Sequence, residues 1–130
     1  MIFLDSCILI YAIEDGSERG DRVRAKLSTA EETLLVSPLV LHECLVGPLK
    51  DKRIELRERY FEAYRRLRKV PLGVDIYVQA AELRAHHGMK TPDALHLATA
   101  QRSRCRELWT NDKRLVAASN GLAVDIIGAA

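Results

Sequence analysis

The chain holds no Cys-x-x-Cys pair. Its three cysteines, Cys7, Cys44 and Cys105, are odd in number and widely spaced, which removes zinc-ribbon and dithiol redox chemistry and suits a reducing cytoplasm. Charge of one sign is also lacking: the formal net charge is only +2, too little for a sequence-blind grip on nucleic acid, so any basic surface must be local. No uncharged run approaches the roughly 18 residues of a membrane span. The apolar opening Met1 to Ile13 lacks a positively charged leader and carries Asp5 in its middle, so it is expected to be core and not a secretion signal. Internal repeats, low-complexity tracts and linkers are absent as well.

What remains is a chain of 130 residues, 48% of them hydrophobic, enough for one core and too short for two typical domains. A single domain over residues 1–130 is expected. Met1 to Leu4 is a short apolar run, and Ser6 to Ile13 stays apolar without strict alternation, which predicts a buried strand turning at Asp5 into a buried helix. After the polar stretch Glu14 to Gly20, a modest helix starts at Asp21 and a second strand covers Thr33 to Val36. Ser37-Pro38 reads as an N-cap followed by proline at the first helical position. That helix is expected from Leu39 to Val46, stopping at Gly47-Pro48. A long charged helix over Lys50 to Lys69 has an apolar seam of Ile54, Tyr60, Phe61, Tyr64 and Leu67. A short strand is expected at Val70 to Val74. A helix capped by Asp75 runs to Gly88, and Thr91-Pro92-Asp93 opens another that reaches Cys105. A strand at Glu107 to Thr110, a short helix at Asn111 to Ser119 and a strand at Ala123 to Ile127 complete the pattern. Alternating strands and helices indicate an α/β domain on a mostly parallel sheet, in which ligands gather at the carboxyl ends of the strands.

Four acids stand out on that frame. Asp5 follows the first strand and Asp112 follows the strand Glu107 to Thr110, so both fall on the ligand-binding rim. Asp93 sits in the first turn of a largely apolar helix. Glu43 lies within Leu39-Val-Leu-His-Glu-Cys-Leu-Val46, where every neighbour but His42 favours burial. Burying a lone carboxylate costs several kcal/mol unless a cation or hydrogen bonds accompany it. Taken singly, Asp5, Asp93 and Asp112 read as helix-start acids, worth roughly 0.5 to 2 kcal/mol, as Asp75 does, and Glu43 as half of a salt bridge. A shared hard cation accounts for all four together, since Mg²⁺ takes oxygen ligands, a few of them carboxylates.

The segments Ile2-Phe-Leu-Asp-Ser-Cys-Ile-Leu-Ile10, Ser37-Pro-Leu-Val-Leu-His-Glu43, Thr91-Pro-Asp-Ala-Leu-His-Leu-Ala98 and Trp109-Thr-Asn-Asp-Lys-Arg-Leu115 together resemble the PIN-domain family, and within it the single-domain toxins of VapBC-type toxin–antitoxin pairs. The resemblance spans nearly the whole chain. It implies a three-layer α/β fold with a central parallel sheet flanked by helices. Asp5 and Asp93 would be the primary metal ligands, with Glu43 and Asp112 completing the acidic cluster and Ser6, Thr110 and Asn111 as accessory residues. Ser6 replaces the threonine more usual after the first aspartate and keeps its hydroxyl. The activity implied is that of a metal-dependent endoribonuclease and toxin, hydrolysing RNA phosphodiesters through metal-activated water with one or two Mg²⁺ or Mn²⁺ ions. A cognate antitoxin, a homodimer and a cytoplasmic location go with it. The alternatives are an inactive PIN domain that binds RNA or protein, and an RNA-processing nuclease that is not a toxin.

A phosphatase of the haloacid dehalogenase type would need a second aspartate at the position of Cys7. A phosphoacceptor receiver domain would need an acidic pair at the first strand, and a dinucleotide binder a glycine-rich turn. None is present. His42 beside Glu43 and His96 one turn beyond Asp93 are expected mainly to pack or hydrogen-bond. His86 and His87 are expected to favour the negative end of their helix, and Tyr11 and Trp109 to be core. Lys113, Arg114, Arg102 and Arg104 are the phosphate candidates. Glu55 with Arg59 and Glu62 with Arg66 are expected as ordinary helical pairs on a solvated face.

Overall fold

A computed structural model describes residues 1–128. Five strands form one sheet: β1 (Ile2–Leu4), β2 (Leu34–Val36), β3 (Arg68–Lys69), β4 (Glu107–Thr110) and β5 (Ala123–Asp125). The order is β3-β2-β1-β4-β5, and every pairing is parallel. Seven helices flank it among the described residues: α1 (Ser6–Glu14), α2 (Glu18–Thr29), α3 (Pro38–Lys50), α4 (Ile54–Arg66), α5 (Val74–His87), α6 (Thr91–Arg102) and α7 (Lys113–Ala118). This is the three-layer α/β arrangement expected. No described helix is long and apolar enough to cross a membrane.

The strand order fixes where a ligand can sit. The chain leaves β1 toward β2 on one side and returns to β4 on the other. The gap beyond the carboxyl ends of β1 and β4 is therefore the switch point of the sheet, where crossovers diverge and leave a crevice. β1 pairs with β4 as Ile2 with Glu107, Phe3 with Leu108 and Leu4 with Trp109, which puts Asp5 opposite Thr110 at that crevice. Phe3, Leu4, Ile8, Val36, Val40, Leu97 and Leu108 are fully buried around it. A core held this tightly keeps the crevice in place, because close-packed interiors transmit displacement and do not absorb it.

Several boundaries differ from those the sequence predicts. Gly47-Pro48 does not stop α3, which runs on to Lys50. Proline removes one helical hydrogen bond, and near a carboxyl end few bonds remain to be lost, while Pro48 gains burial on the inner face. The break comes at Lys52, whose φ of 56° turns the chain, so α4 starts at Ile54 and ends at Arg66. The strand expected over Val70 to Val74 lies instead at Arg68–Lys69, with both residues exposed. An edge strand needs only one bonded side, and charge there discourages pairing with another chain. α2 begins at Glu18, not Asp21. α5 begins at Val74, so Asp75 stands in its first turn and not at its cap, pairing with Arg102 at 2.9 Å. α6 ends at Arg102, short of Cys105. β5 ends at Asp125, whose carboxylate accepts from the amides of Ile127 and Gly128 and turns the chain out of the sheet.

Candidate active site

Asp5 leaves β1 in extended conformation and caps α1. Its Oδ1 accepts from the Ser6 amide at 2.7 Å, and its Oδ2 from the Thr110 hydroxyl at 2.7 Å and the Cys7 thiol at 3.6 Å. The side chain is buried yet well supplied with donors, as an ionised carboxylate in such a place must be. Thr110, wholly buried, also accepts from the Asp112 amide at 3.0 Å. One hydroxyl thus ties the ends of β1 and β4 together. Asp112 caps α7 through the amides of Arg114 and Leu115, and Asn111 donates to the Tyr11 hydroxyl at 3.0 Å. Asp112 therefore serves as a helix cap and as a member of the rim at once.

Glu43 reaches the same crevice from α3. That helix buries Val40, Cys44 and Pro48 and leaves His42, Val46 and Leu49 outside. Glu43 lies at the boundary, half-buried, and the surroundings are less apolar than its neighbours in sequence suggest. Its Oε1 meets His96 Nε2 at 2.5 Å. His96 comes from α6, where the seven residues Ala94 to Ala100 are all buried, and its Nε2 is also 3.7 Å from Asp5 Oδ1. The donor atoms of Asp5, Glu43 and His96 lie within 4.8 Å of one another.

The protonation states follow from this crowding. Burial alone would push Glu43 up, but the hydrogen bond and charge of His96 hold it below its ordinary value. Burial would likewise lower His96, and the carboxylates of Glu43, Asp5 and Asp93 outweigh it and raise the imidazole. Nδ1 of His96 has no partner. Full protonation would leave that N–H bare at a cost of about 1–3 kcal/mol, which limits the rise. Asp93, in the first turn of α6, is raised by burial first and then by the charges of Asp112, Asp5 and Glu43. Asp93 is thus the carboxylate on which the repulsion of its acidic neighbours shows. Cys7 is pushed far up by burial and then by Asp5, so it is an inert thiol, not a nucleophile.

This donor set fits a divalent cation. Hard carboxylate oxygens predominate, one imidazole stands among them, and the repulsion felt by Asp93 is what a cation would relieve. A ligating histidine usually anchors its other ring nitrogen on a carboxylate or carbonyl. Nδ1 of His96 has no such anchor, and its Nε2 instead faces Glu43, which suits a residue that orients the carboxylates more than one that ligates.

Among the described residues, the atoms that could hold one ion meet at Asp5, Glu43 and His96. Asp93 is near enough to feel the charges of Asp112, Asp5 and Glu43, but neither Asp93 nor Asp112 joins that cluster. Ser6 and Thr110 bond Asp5, and Asn111 bonds Tyr11. His96, expected to pack or hydrogen-bond, does bond Glu43 and stands between two of the acids. Its signal in the sequence is a lone imidazole in an otherwise apolar helix, three residues after an acid. Arg102 and Arg104 do not belong to the site: they follow Asp93 by nine and eleven residues, at the far end of a helix rising about 1.5 Å per residue. Arg114 does approach it. It lines a cavity of about 340 Å³ together with His87, Lys90 and Asp93. Trp109 is core, as expected, and Tyr11 is half-buried with Arg19 stacked 4.2 Å above its ring.

A family model described as PIN domain matches residues 2–120. Among solved structures, a toxin–antitoxin complex from Klebsiella pneumoniae is similar at 26% identity with a TM-score of 0.80, covering 97% of this chain and 98% of the other. FitAcB from Neisseria gonorrhoeae gives 21% identity and a TM-score of 0.83, over 99% and 100%. VapC20 from Mycobacterium tuberculosis, described as a toxin cleaving the sarcin–ricin loop, gives 18% and 0.79, over 91% and 95%. No curated protein matches the chain at a significant level.

Proposed function

Since the chain belongs to the PIN-domain family, we propose that it is a metal-dependent endoribonuclease and the toxin of a toxin–antitoxin pair, acting in the cytoplasm. The observation that carries this reading is the meeting of Asp5 and Glu43 beside His96 at the switch point of a parallel sheet, with Asp93 near enough to be raised by burial and by the charges of Asp112, Asp5 and Glu43. Crowded carboxylates are unfavourable without a cation, and a protein that keeps them together has a use for one.

Asp5 and Asp93 would be the main holders of one or two Mg²⁺ or Mn²⁺ ions, with Glu43 and Asp112 completing the set. Such ions supply Lewis acidity, which makes water a competent nucleophile at neutral pH and neutralises charge on the phosphate. The chain's own part is geometric. Thr110 and Ser6 fix both oxygens of Asp5, His96 fixes Glu43, and the α7 amides fix Asp112, so these three acids need no rearrangement when substrate arrives. Attack by water leaves the ribose 2′-hydroxyl unused and yields a 5′-phosphate and a 3′-hydroxyl.

The Klebsiella neighbour is a toxin–antitoxin complex, which supports a cognate antitoxin as partner. So does an apolar groove of about 440 Å³ lined by Leu9, Ile13, Leu27, Leu34 and Leu67, with Arg24 and Arg66 beside it. Exposed Val46, Leu49 and Ile54 at the α3–α4 corner support a second apolar contact, which we assign to a homodimer. The test is inducible expression in a bacterial host. The chain should arrest growth and leave specific RNA cuts, while Asp5→Asn at equal abundance should do neither. Growth unaffected by soluble, antitoxin-free chain would turn the assignment toward a binding module or a processing nuclease.

A further inference from the structure

The cavity that Asp93 lines is walled otherwise by cationic and apolar residues. Lys90, at the start of α6, and Arg114, on α7, both line it, and among the described residues neither side chain makes an ion pair or hydrogen bond. His87 provides the one aromatic ring of the lining, and Met89 and Ala118 provide apolar wall. Two unengaged cations and a ring therefore adjoin an acidic crevice. The 340 Å³ volume lies at the low end of ligand-sized cavities, about 300–1,000 Å³.

We infer that this cavity is a subsite for a single unpaired nucleotide of the RNA, next to the phosphate that is cut, with Lys90 and Arg114 holding its phosphate and His87 stacking its base. This rests on the nuclease reading and deepens it. An RNA strand nearing four carboxylates is repelled by them, and cations on the adjoining wall offset that repulsion on the side where the strand must leave the site. Single-stranded RNA is read by splayed bases stacked on rings, histidine included, and by phosphate contacts. The lining has both parts, a ring at His87 and cations at Lys90 and Arg114, and a base must leave a duplex to stack there.

The experiment measures fluorescence anisotropy of the Asp5→Asn chain, which should bind without cutting, with a labelled mixed-sequence single-stranded oligoribonucleotide and the same sequence as duplex. Single strand should bind more tightly than duplex. Replacing Lys90 and Arg114 together by alanine should weaken binding roughly tenfold and flatten the salt dependence by about 1.4 in log–log slope, the release expected for two phosphate contacts on a single strand. Ala118→Phe, which fills the cavity without changing charge, should weaken binding and leave the slope alone, with circular dichroism confirming its fold. Affinity and slope unchanged in the double variant, or duplex bound as tightly as single strand, would overturn the subsite. Wild-type cleavage of RNA separates the two readings: if cleavage persists the nuclease stands without this subsite, and if neither cleavage nor binding occurs both fail.

Discussion

Thr110 carries two of the four acids at once. Its hydroxyl donates to Asp5 and accepts from the Asp112 amide, inside a core where water cannot substitute. Thr110→Val keeps the shape and removes both bonds, leaving buried groups unpaired. It should cost about 1–3 kcal/mol of stability and slow cleavage, read from denaturation midpoints and single-turnover rates, while Thr110→Ser should retain most of each. Asp93 gives the opposite sign. Its folded pKa is raised, so its contribution is favourable below the ordinary value of 3.8 and is lost as pH rises through the folded value. Asp93→Asn should therefore raise the melting temperature of the metal-free protein at neutral pH and abolish cleavage. Calorimetry in EDTA checks the first part. The Glu43–His96 pair has a window of its own. Glu43 is lowered from 4.5 and His96 raised from 6.5, so their mutual stabilisation is complete between about those values. It falls away as pH drops through the lowered Glu43 or rises through the raised His96. His96→Ala should flatten that part of the stability–pH curve, and a curve unchanged in shape would show that the pair contributes nothing. Glu43 stands out in the sequence because a carboxylate in an apolar helix is costly to keep unless something binds it, while Asp5, Asp93 and Asp112 read singly as helix-start acids and stand out only together. His96 is not, because an imidazole among alanines and leucines is as easily a packed residue, and only the approach of α3 to α6 shows what it faces.

At the scale of elements, α1 and α2 meet at Gly20. It is buried, and a Cβ there would stand 1.8 Å from the Asp15 carbonyl oxygen, a backbone atom that cannot turn aside. Gly20→Ala should cost about 1–3 kcal/mol as an overpacked contact, measured by chemical denaturation, and because Asp5 caps α1 it should weaken cleavage too. Nothing local marks this glycine. It falls in the polar stretch that the sequence pattern assigns to a loop, and its constraint comes from the chain end of the preceding helix. The strands β1, β2 and β4 are legible from their short apolar runs and the turn residues after them. β3 is not, since two exposed basic residues at an edge carry no hydrophobic pattern; their strand character comes from β2, whose Val36 carbonyl goes on to accept from the Val70 amide at 2.9 Å. The extent of α3 escapes the sequence pattern for a related reason: proline forbids one hydrogen bond and not a whole turn, and the burial of Pro48 decides the outcome.

The whole molecule works as a frame for one crevice. A strand order that reverses at β1 and β4 opens the gap, the buried core holds both strands still, and α3 and α6 bring Glu43, Asp93 and His96 to it from distant parts of the sequence. Alternation of strand and helix makes the α/β class legible from residues alone, and the rim position of Asp5 and Asp112 follows from it. The cavity of Lys90 and Arg114 does not, because it is formed by the approach of α7 to the α5–α6 turn, and neither segment alone carries a signature. That the acids of the crevice make this chain a metal-dependent nuclease is tested most directly by incubating purified protein and its Asp5→Asn variant with total cellular RNA in Mg²⁺, Mn²⁺ or EDTA, and mapping the chemistry of the new ends. Discrete cuts bearing 5′-phosphates, dependent on the ion and absent from the variant, are the predicted result; cleavage that persists in EDTA or in Asp5→Asn, or no cleavage by antitoxin-free protein, would contradict it.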